Sequence, residues 1–425
     1  MTTTAPTRPA QTNARSHEER LDRLAAVAVK AGLNIAHGQE LLITAPLEAL
    51  PLVRRVTEHA YKAGASIVTT FLIDEESTLA RYRFAPDDAF DRANVWLQDG
   101  IANAYRSGAA RLGITGGNPA MLAQQDPSKV GRANLAASRA SRPALDLITR
   151  HDINWSIIAA ATPAWAALAF PDETPETGLA KLWDAIFAAT RVDADDPVAA
   201  WKAHSRHLQE RAALLNAKRY DALHFMSTSA DGGTDLIVGL SDGHKWLGGG
   251  TVAGNGIACL PNMPTEEVFT TPHKDRTEGT VASTKPLSYQ GVLIKDIRVR
   301  FEKGRIVEAR ASEGQSTLEK MIGSDDGARQ LGEVALVPHS SPISASGLLF
   351  WNTLFDENAA CHIALGQAYS TCVDGGDTMT PEELAKHGAN DSLIHVDWMI
   401  GSGSMDVDGV RNGKAEPLMR KGEWV

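Results

Sequence analysis

Apolar residues along the first half of the chain switch repeatedly between helical spacing and short unbroken runs. Ser16 and Glu19 form an S-x-x-E start signal, and Leu21, Leu24, Ala25 and Ala28 then share one helical face, with Gly32 as the expected end. Residues 40–44 (ELLIT) read as a short buried strand. Pro46 opens a second helix running to about Lys62 and ended by Gly64, and 66–73 (SIVTTFLI) reads as another strand. Strand, helix, strand in that order needs a crossover, which predicts a parallel sheet. The alternation continues with a helix over 91–107, a strand at 111–115, a helix over 128–149, a strand at 155–159, and helices over 175–190 and 197–218.

Near Tyr220 the pattern shortens to strand length. DALHFMS and TDLIVGL are followed by 291–301 (GVLIKDIRVRF) and 305–312, joined at Lys303-Gly304 in the manner of a hairpin. One helix is expected over 316–322, extended through 325–331. The fold class is therefore an α/β N-terminal domain with a parallel sheet, followed by a mostly β (α+β) C-terminal domain. The expected division is a disordered tail over 1–15, a scaffold domain over 16–218 and a second domain over 219–425. The tail is rich in Thr, Pro and Ala and lacks the apolar stretch of a secretory signal.

Composition narrows the function classes. A chain of 425 residues with 43% hydrophobic content supports two full cores. A formal charge of −10 argues against nucleic acid or an anionic membrane as the main partner. Three cysteines without C-x-x-C spacing imply no disulfide framework, so the reducing cytoplasm is the expected compartment. No apolar run reaches the ~18 residues of a membrane span. No G-x-G-x-x-G follows the strands of the first half, and the glycines over 248–256 lack a following Lys-Ser/Thr, so they read as a turn-rich loop.

Candidate chemistry gathers between Glu333 and Asp397, with an outlier at Glu266-Glu267. On a strand, His395 and Asp397 project to the same side. An aspartate among Leu393, Ile394, Trp398, Met399 and Ile400 is costly to bury unless it is paired or binds metal. Glu267 stands in E-V-F-T-T, Glu333 precedes the apolar run 334–337, and His362 lies between Cys361 and Ile363. Each alone has an ordinary structural reading: a strand-edge carboxylate, a satisfied core histidine, a His–Asp hydrogen bond. Together they form a nitrogen and oxygen donor set suited to a divalent Lewis acid.

From Thr234 onward, GTDLIVGL, PNMPTEEVFTTPHKDRTEGTV, STKPLSYQG, LGEVALVP, NTLFDENAACHIALGQAY and HVDWMIGS resemble the aminopeptidase T / aminopeptidase S family of dinuclear metallopeptidases. GLNIAHGQELLITAP and the WAALAFP segment extend the resemblance through the first half. It implies that Glu267, Glu333, His362, His395 and Asp397 ligate two divalent ions (Zn, Co or Mn), with Glu333 or Asp397 as the bridge. It also implies that Tyr369 stands in the site, that peptides are the substrates and that the chain forms a homodimer. Two such ions would clamp the substrate carbonyl and an attacking water. Glu266 is the expected general base, by analogy with Glu-Glu pairs in other dinuclear aminopeptidases. Neighbours on a regular strand face opposite sides, so that role requires a bend. An alternative on a related scaffold is a mononuclear iron ring-cleaving dioxygenase, which needs only two histidines and one carboxylate.

Overall fold

The computed structural model describes residues 15–228, 233–289 and 292–425. The expected tail thus lies, through residue 14, outside the described residues. Helix α1 (His17–Val27) begins where Ser16 Oγ accepts from the Glu19 amide at 3.2 Å. The Glu19 carboxylate turns to Arg15 instead of returning to the cap, so only half of the capping box forms. Gly32 does not end this helix. The helix widens into a π turn (Ala28–Leu33) and stops at Asn34, which is left-handed at φ 51°. Gly32 serves close approach instead, since a Cβ there would stand 2.8 Å from Ser156 Oγ and 2.9 Å from Met263 Sδ.

Four strands, β1 (Leu41–Pro46), β2 (Val68–Ile73), β3 (Ala110–Thr115) and β4 (Trp155–Ala159), form an all-parallel sheet in the order β2-β1-β3-β4. The helices between them are α2 (Leu50–Lys62), α3 (Glu75–Phe84), α4 (Val95–Arg106) and α5 (Pro127–Thr149). Alternate side chains of β1 enter different cores. Leu41 and Ile43 join α1 and α2 on one face, while Leu42 joins Ala102 and Tyr105 of α4 and Ala144 of α5 on the other. Helix α3 was not expected from the pattern, and of its residues only Tyr82 is buried, so it carries no apolar stripe. Helix α6 (Pro163–Ala169) was also missed, because PAWAALA is apolar on nearly every side. Helices α7 (Pro175–Ala189) and α8 (Pro197–Lys218) follow as expected, each with Pro in the first turn and a Thr or Asp cap.

The second half is mostly antiparallel sheet, as the strand-length pattern implied. Its strands are β5 (Ala222–Ser227), β6 (Thr234–Leu240), β7 (Leu247–Gly248), β8 (Thr251–Val252), β9 (Ala258–Cys259), β10 (Val268–Thr270), β11 (Pro272–Ala282), β12 (Leu287–Tyr289), β13 (Val292–Ile294), β14 (Arg298–Glu302) and β15 (Arg305–Arg310). After helix α9 (Gln315–Ile322) come β16 (Leu331–Leu336), α10 (Pro342–Ser346), α11 (Thr353–Asp356), β17 (His362–Gly366), α12 (Pro381–Lys386), β18 (His395–Met399), β19 (Asp406–Arg411), β20 (Lys414–Arg420) and β21 (Glu423–Trp424). The hairpin between β14 and β15 turns at Lys303-Gly304, both with positive φ (48° and 78°). The single strand expected over 291–301 is broken at Asp296, which has φ 51°, and Gly291 lies outside the described residues. The helix expected to continue over 325–331 is reduced to one 3-10 turn at Gly327–Arg329, because β16 begins at Leu331.

One sheet runs β15-β14-β11-β6-β5-β19-β20-β21, and a second runs β18-β17-β16-β10-β7. The second sheet is buried on one face by Val268, Val334, Leu336, Ile363, Leu365, Val396 and Trp398. A two-residue period then turns Glu333, His362, His395 and Asp397 to its other face, and Glu267, just before Val268, joins them. The first core also receives Leu260, Met263, Ile343, Phe350, Leu354, Phe355 and Ala359 from beyond Lys218. The segments leading to Glu267 and His362 are therefore anchored in the N-terminal half.

Candidate metal centre

Two groups of ligand-type side chains meet on the polar face of the five-stranded sheet. Glu267, Glu333 and His362 form one, and Glu333, His395 and Asp397 form the other, with the ligand atoms in each within 4.8 Å of one another. Glu333, on the central strand β16, belongs to both. Its Oε1 lies 3.7 Å from His362 Nε2 and its Oε2 lies 3.4 Å from His395 Nε2. Glu267 Oε2 is 3.1 Å from His362 Nε2, and Asp397 Oδ1 is 3.4 Å from His395 Nε2. All five residues named from sequence are thus brought together.

Both imidazoles are aimed by the backbone. His362 Nδ1 donates to the Ala360 carbonyl at 3.1 Å, and His395 Nδ1 donates to the Gln367 carbonyl at 2.7 Å. Each ring thereby presents Nε2 to the cluster, the arrangement that fixes a metal-ligating tautomer. Glu267, Glu333 and His362 are buried, whereas His395 and Asp397 are half-buried, so the site opens at the β18 end. Burial opposes charge on both histidines. The surrounding carboxylates nevertheless hold His362 well above its ordinary pKa, and Asp397 and Glu333 raise His395 to about 11. Burial raises Glu267, while His395 brings Asp397 below the usual carboxylate range against the effect of burial.

A divalent cation fits this donor set. Glu267 Oε2 is sealed from solvent and, among the described residues, has no partner in hydrogen-bond geometry, His362 Nε2 being an ion-pair neighbour at 3.1 Å. Such an orphaned carboxylate oxygen is costly to bury unless a cation meets it. The ligands are hard oxygens and imidazoles, with no sulfur among them.

Glu357 was not singled out from the sequence. It lies on the 3-10 turn Glu357–Ala359, five positions before His362. The turn packs against β18; burial pushes the Glu357 pKa well up, and the charges of Glu267, Asp397 and Glu333 push it further. The available signal was an acidic pair, Asp356-Glu357, inside an otherwise apolar segment. Asp356 is consumed locally: it accepts from the Phe350 and Asn352 amides at 2.8 and 3.0 Å, and burial raises its pKa to about 6. Tyr369 stacks obliquely on His395 with ring centroids 4.8 Å apart, and 43% of its surface is exposed at the open end. Burial of the phenol and the nearby Glu333 and Asp397 charges raise its pKa well above the ordinary value, so the hydroxyl remains a hydrogen-bond donor.

Glu266 does not have the free carboxylate expected of a base. Both its oxygens accept from Arg191 Nη2, at 2.6 and 2.9 Å, and His204 Nε2 lies 3.4 Å away. Burial depresses His204 to about 4, so its neutral ring donates Nε2–H to the Thr265 carbonyl at 2.8 Å. The Glu266 amide donates to Asn358 Oδ1 at 2.7 Å, tying the Glu267 strand to the turn of Glu357. Arg191 follows α7 with φ 58°, and its guanidinium lies 4.7 Å from the Trp201 ring centroid. The pair is largely buried, at 18% and 5% side-chain exposure. Arg191→Met strands a buried carboxylate and should destabilise the chain by about 3–5 kcal/mol. Adding Glu266→Gln should recover most of that loss, as read by urea unfolding of both variants.

The chain matches the family model described as thermophilic metalloprotease (M29) over residues 17–424. It is 50% identical over 406 residues to aminopeptidase T of Thermus thermophilus, covering 95% of this chain and 98% of that one. It is 49% identical over 408 residues to aminopeptidase T of Thermus aquaticus, covering 96% and 98%. The solved structure of wild-type AmpT from Thermus thermophilus superposes with a TM-score of 0.91 at 48% identity, covering 96% of this chain and all of that one. These relatives bear the names of peptidases, which favours hydrolysis over the ring-cleaving oxygenase alternative.

Proposed function

Since the chain belongs to the thermophilic metalloprotease (M29) family and is a metal-dependent aminopeptidase, we propose that it removes N-terminal residues with two divalent cations that share Glu333. The observation that carries this reading is the membership of Glu333 in both ligand groups, one carboxylate oxygen toward each histidine. Glu267 and His362 complete one position, and His395 and Asp397 the other. Zn, Co or Mn suits these ligands. Bound there, such ions supply Lewis acidity toward the substrate carbonyl and lower the pKa of the attacking water.

The remaining roles belong to the chain itself. Glu357, rather than Glu266, receives the proton of the attacking water and returns it to the leaving amine. Its support is its place on a turn that packs against β18 and is tied through Asn358 to the Glu267 segment, outside both ligand groups, with the charges of Glu267, Asp397 and Glu333 raising its affinity for a proton. The Tyr369 hydroxyl donates a hydrogen bond to the oxyanion of the tetrahedral intermediate. The acidic cluster attracts the free ammonium of the peptide. The buried, free Cys259, Cys361 and Cys372 support a cytoplasmic setting. The exposed Phe84 (82%) and Trp96 (75%) support a homodimer.

Chelation should abolish hydrolysis of leucine p-nitroanilide, and added Zn, Co or Mn should restore it. The N-acetylated substrate should be turned over at least ~10-fold more slowly, because the lost ammonium interaction exceeds about 1.4 kcal/mol. Equal rates on blocked and free substrates would remove the exopeptidase reading.

A further inference from the structure

The parallel sheet carries a cavity separate in its lining from the metal centre. It has a volume of about 350 Å³ and is lined by Thr44, Ile73, Glu75, Arg111, Thr115 and Asn118, among others, none of them a metal-cluster residue. It lies where β1, β2 and β3 end. In the order β2-β1-β3-β4 the chain reverses direction across the sheet between β1 and β3. Open α/β sheets bind ligands in the crevice beyond their carboxyl ends at such a reversal.

The cavity contains an unusual cation. Arg20, Arg132 and Arg191 each end on a carboxylate, at 2.7, 2.5 and 2.6 Å. The Arg111 guanidinium has no carboxylate or hydrogen-bond partner among the described residues. Its neighbours are the Trp155 ring, with centroid 5.8 Å away, and the Tyr105 phenol. Gly113 leaves room for the side chain to run up the strand, since a Cβ there would stand 3.2 Å from Arg111 Nη2. At the strand end Gly116 turns the chain where a Cβ would meet the Ala160 carbonyl at 1.9 Å, which packs the following loop against the sheet. Glu75, an acid in the lining of the same cavity, accepts from the Asn118 amide and forms no ion pair with Arg111. A half-buried guanidinium left without an anion is costly unless a ligand supplies one.

We propose that this cavity binds a carboxylate of a small organic acid or of a peptide, with Arg111 as its anchor. A carboxylate matches the planar fork of guanidinium and the size of the cavity. The absence of a Gly-rich phosphate fingerprint after β1 disfavours a dinucleotide.

The test uses the metal-loaded full chain, with N-acetylleucine as the carboxylate probe and N-acetylleucinamide as its neutral counterpart. N-acetylleucine at tenfold its Kd should raise Tm by roughly 1–2 °C, the neutral amide should not, and Arg111→Met should lose the response. Arg111→Lys, which keeps the charge but not the fork, should retain a smaller shift. Arg111→Met should not lower the ligand-free Tm and should keep kcat on leucine p-nitroanilide, since it removes an unpaired cation outside the metal site. A kinetic arm separates the two sources of carboxylate. A raised KM for leucyl-glycyl-glycine alone assigns the site to the tail of the substrate, and an unchanged KM assigns it to a separate ligand. The proposal is overturned if wild type and Arg111→Met respond alike to N-acetylleucine, if neither responds, or if Arg111→Met merely lowers Tm with an intact response.

Discussion

Glu333→Gln should lower kcat/KM by on the order of 10³-fold or more, equivalent to at least about 4 kcal/mol of transition-state stabilisation. It should also weaken both cation sites together. The reason lies in the position of the residue on the central strand β16, where one oxygen faces His362 and the other faces His395. An amide keeps the shape and loses the charge. It also replaces one acceptor oxygen by an NH2 group that repels a cation. Loss at Glu267 or Asp397 should be felt first at one site, because each belongs to a single ligand group. Metal content after dialysis, measured alongside kcat/KM, checks both statements. A variant that retains one tightly held cation and loses the other would show that Glu333 serves only one position.

Glu357→Gln should have the second largest effect and a different signature. Its kcat should fall about 10²–10⁴-fold, the usual contribution of a positioned acid–base group, while both cations stay bound. KM should change little, since the carboxyl group acts on the proton of the attacking water and not on the ground-state peptide. Glu266→Gln is the natural contrast. Its carboxylate is held by Arg191 and sits among His204, Thr265 and Asn358, so its loss should appear in stability far more than in kcat. If Glu266→Gln abolished turnover with metals retained and Glu357→Gln did not, the base assignment would revert to Glu266.

The common face of the candidate ligands was readable because a strand repeats every two residues. His395 and Asp397 share a face for that reason, and Val396 and Trp398 between and beyond them face the core. What brings β18, β17, β16 and β10 side by side is pairing between separate segments, as far apart as Val268 and Leu336, and periodicity alone does not specify it. That part came from resemblance in motif order. The proposed base was hidden for a more specific reason. Two acidic pairs, Glu266-Glu267 and Asp356-Glu357, each have one member held by structural partners, Glu266 by Arg191 and Asp356 by backbone amides. Which member is so held at the first pair depends on Arg191, which stands 75 positions earlier at the end of α7. At the second it depends on the amides of Phe350 and Asn352, which claim Asp356. The missed helices have equally local causes, since α3 lies mostly at the surface and α6 is too uniformly apolar to show a face. Gly32 read as a helix end because that is the commonest use of glycine, and its close approach to Ser156 and Met263 exists only in three dimensions.

The central claim is that one carboxylate serves two cations. Anomalous diffraction from crystals of the wild-type chain soaked in Mn or Zn tests it most directly. Two peaks are predicted, one touching Glu267, Glu333 and His362 and the other touching Glu333, His395 and Asp397. A single peak, or two peaks that do not have Glu333 in common, would contradict it.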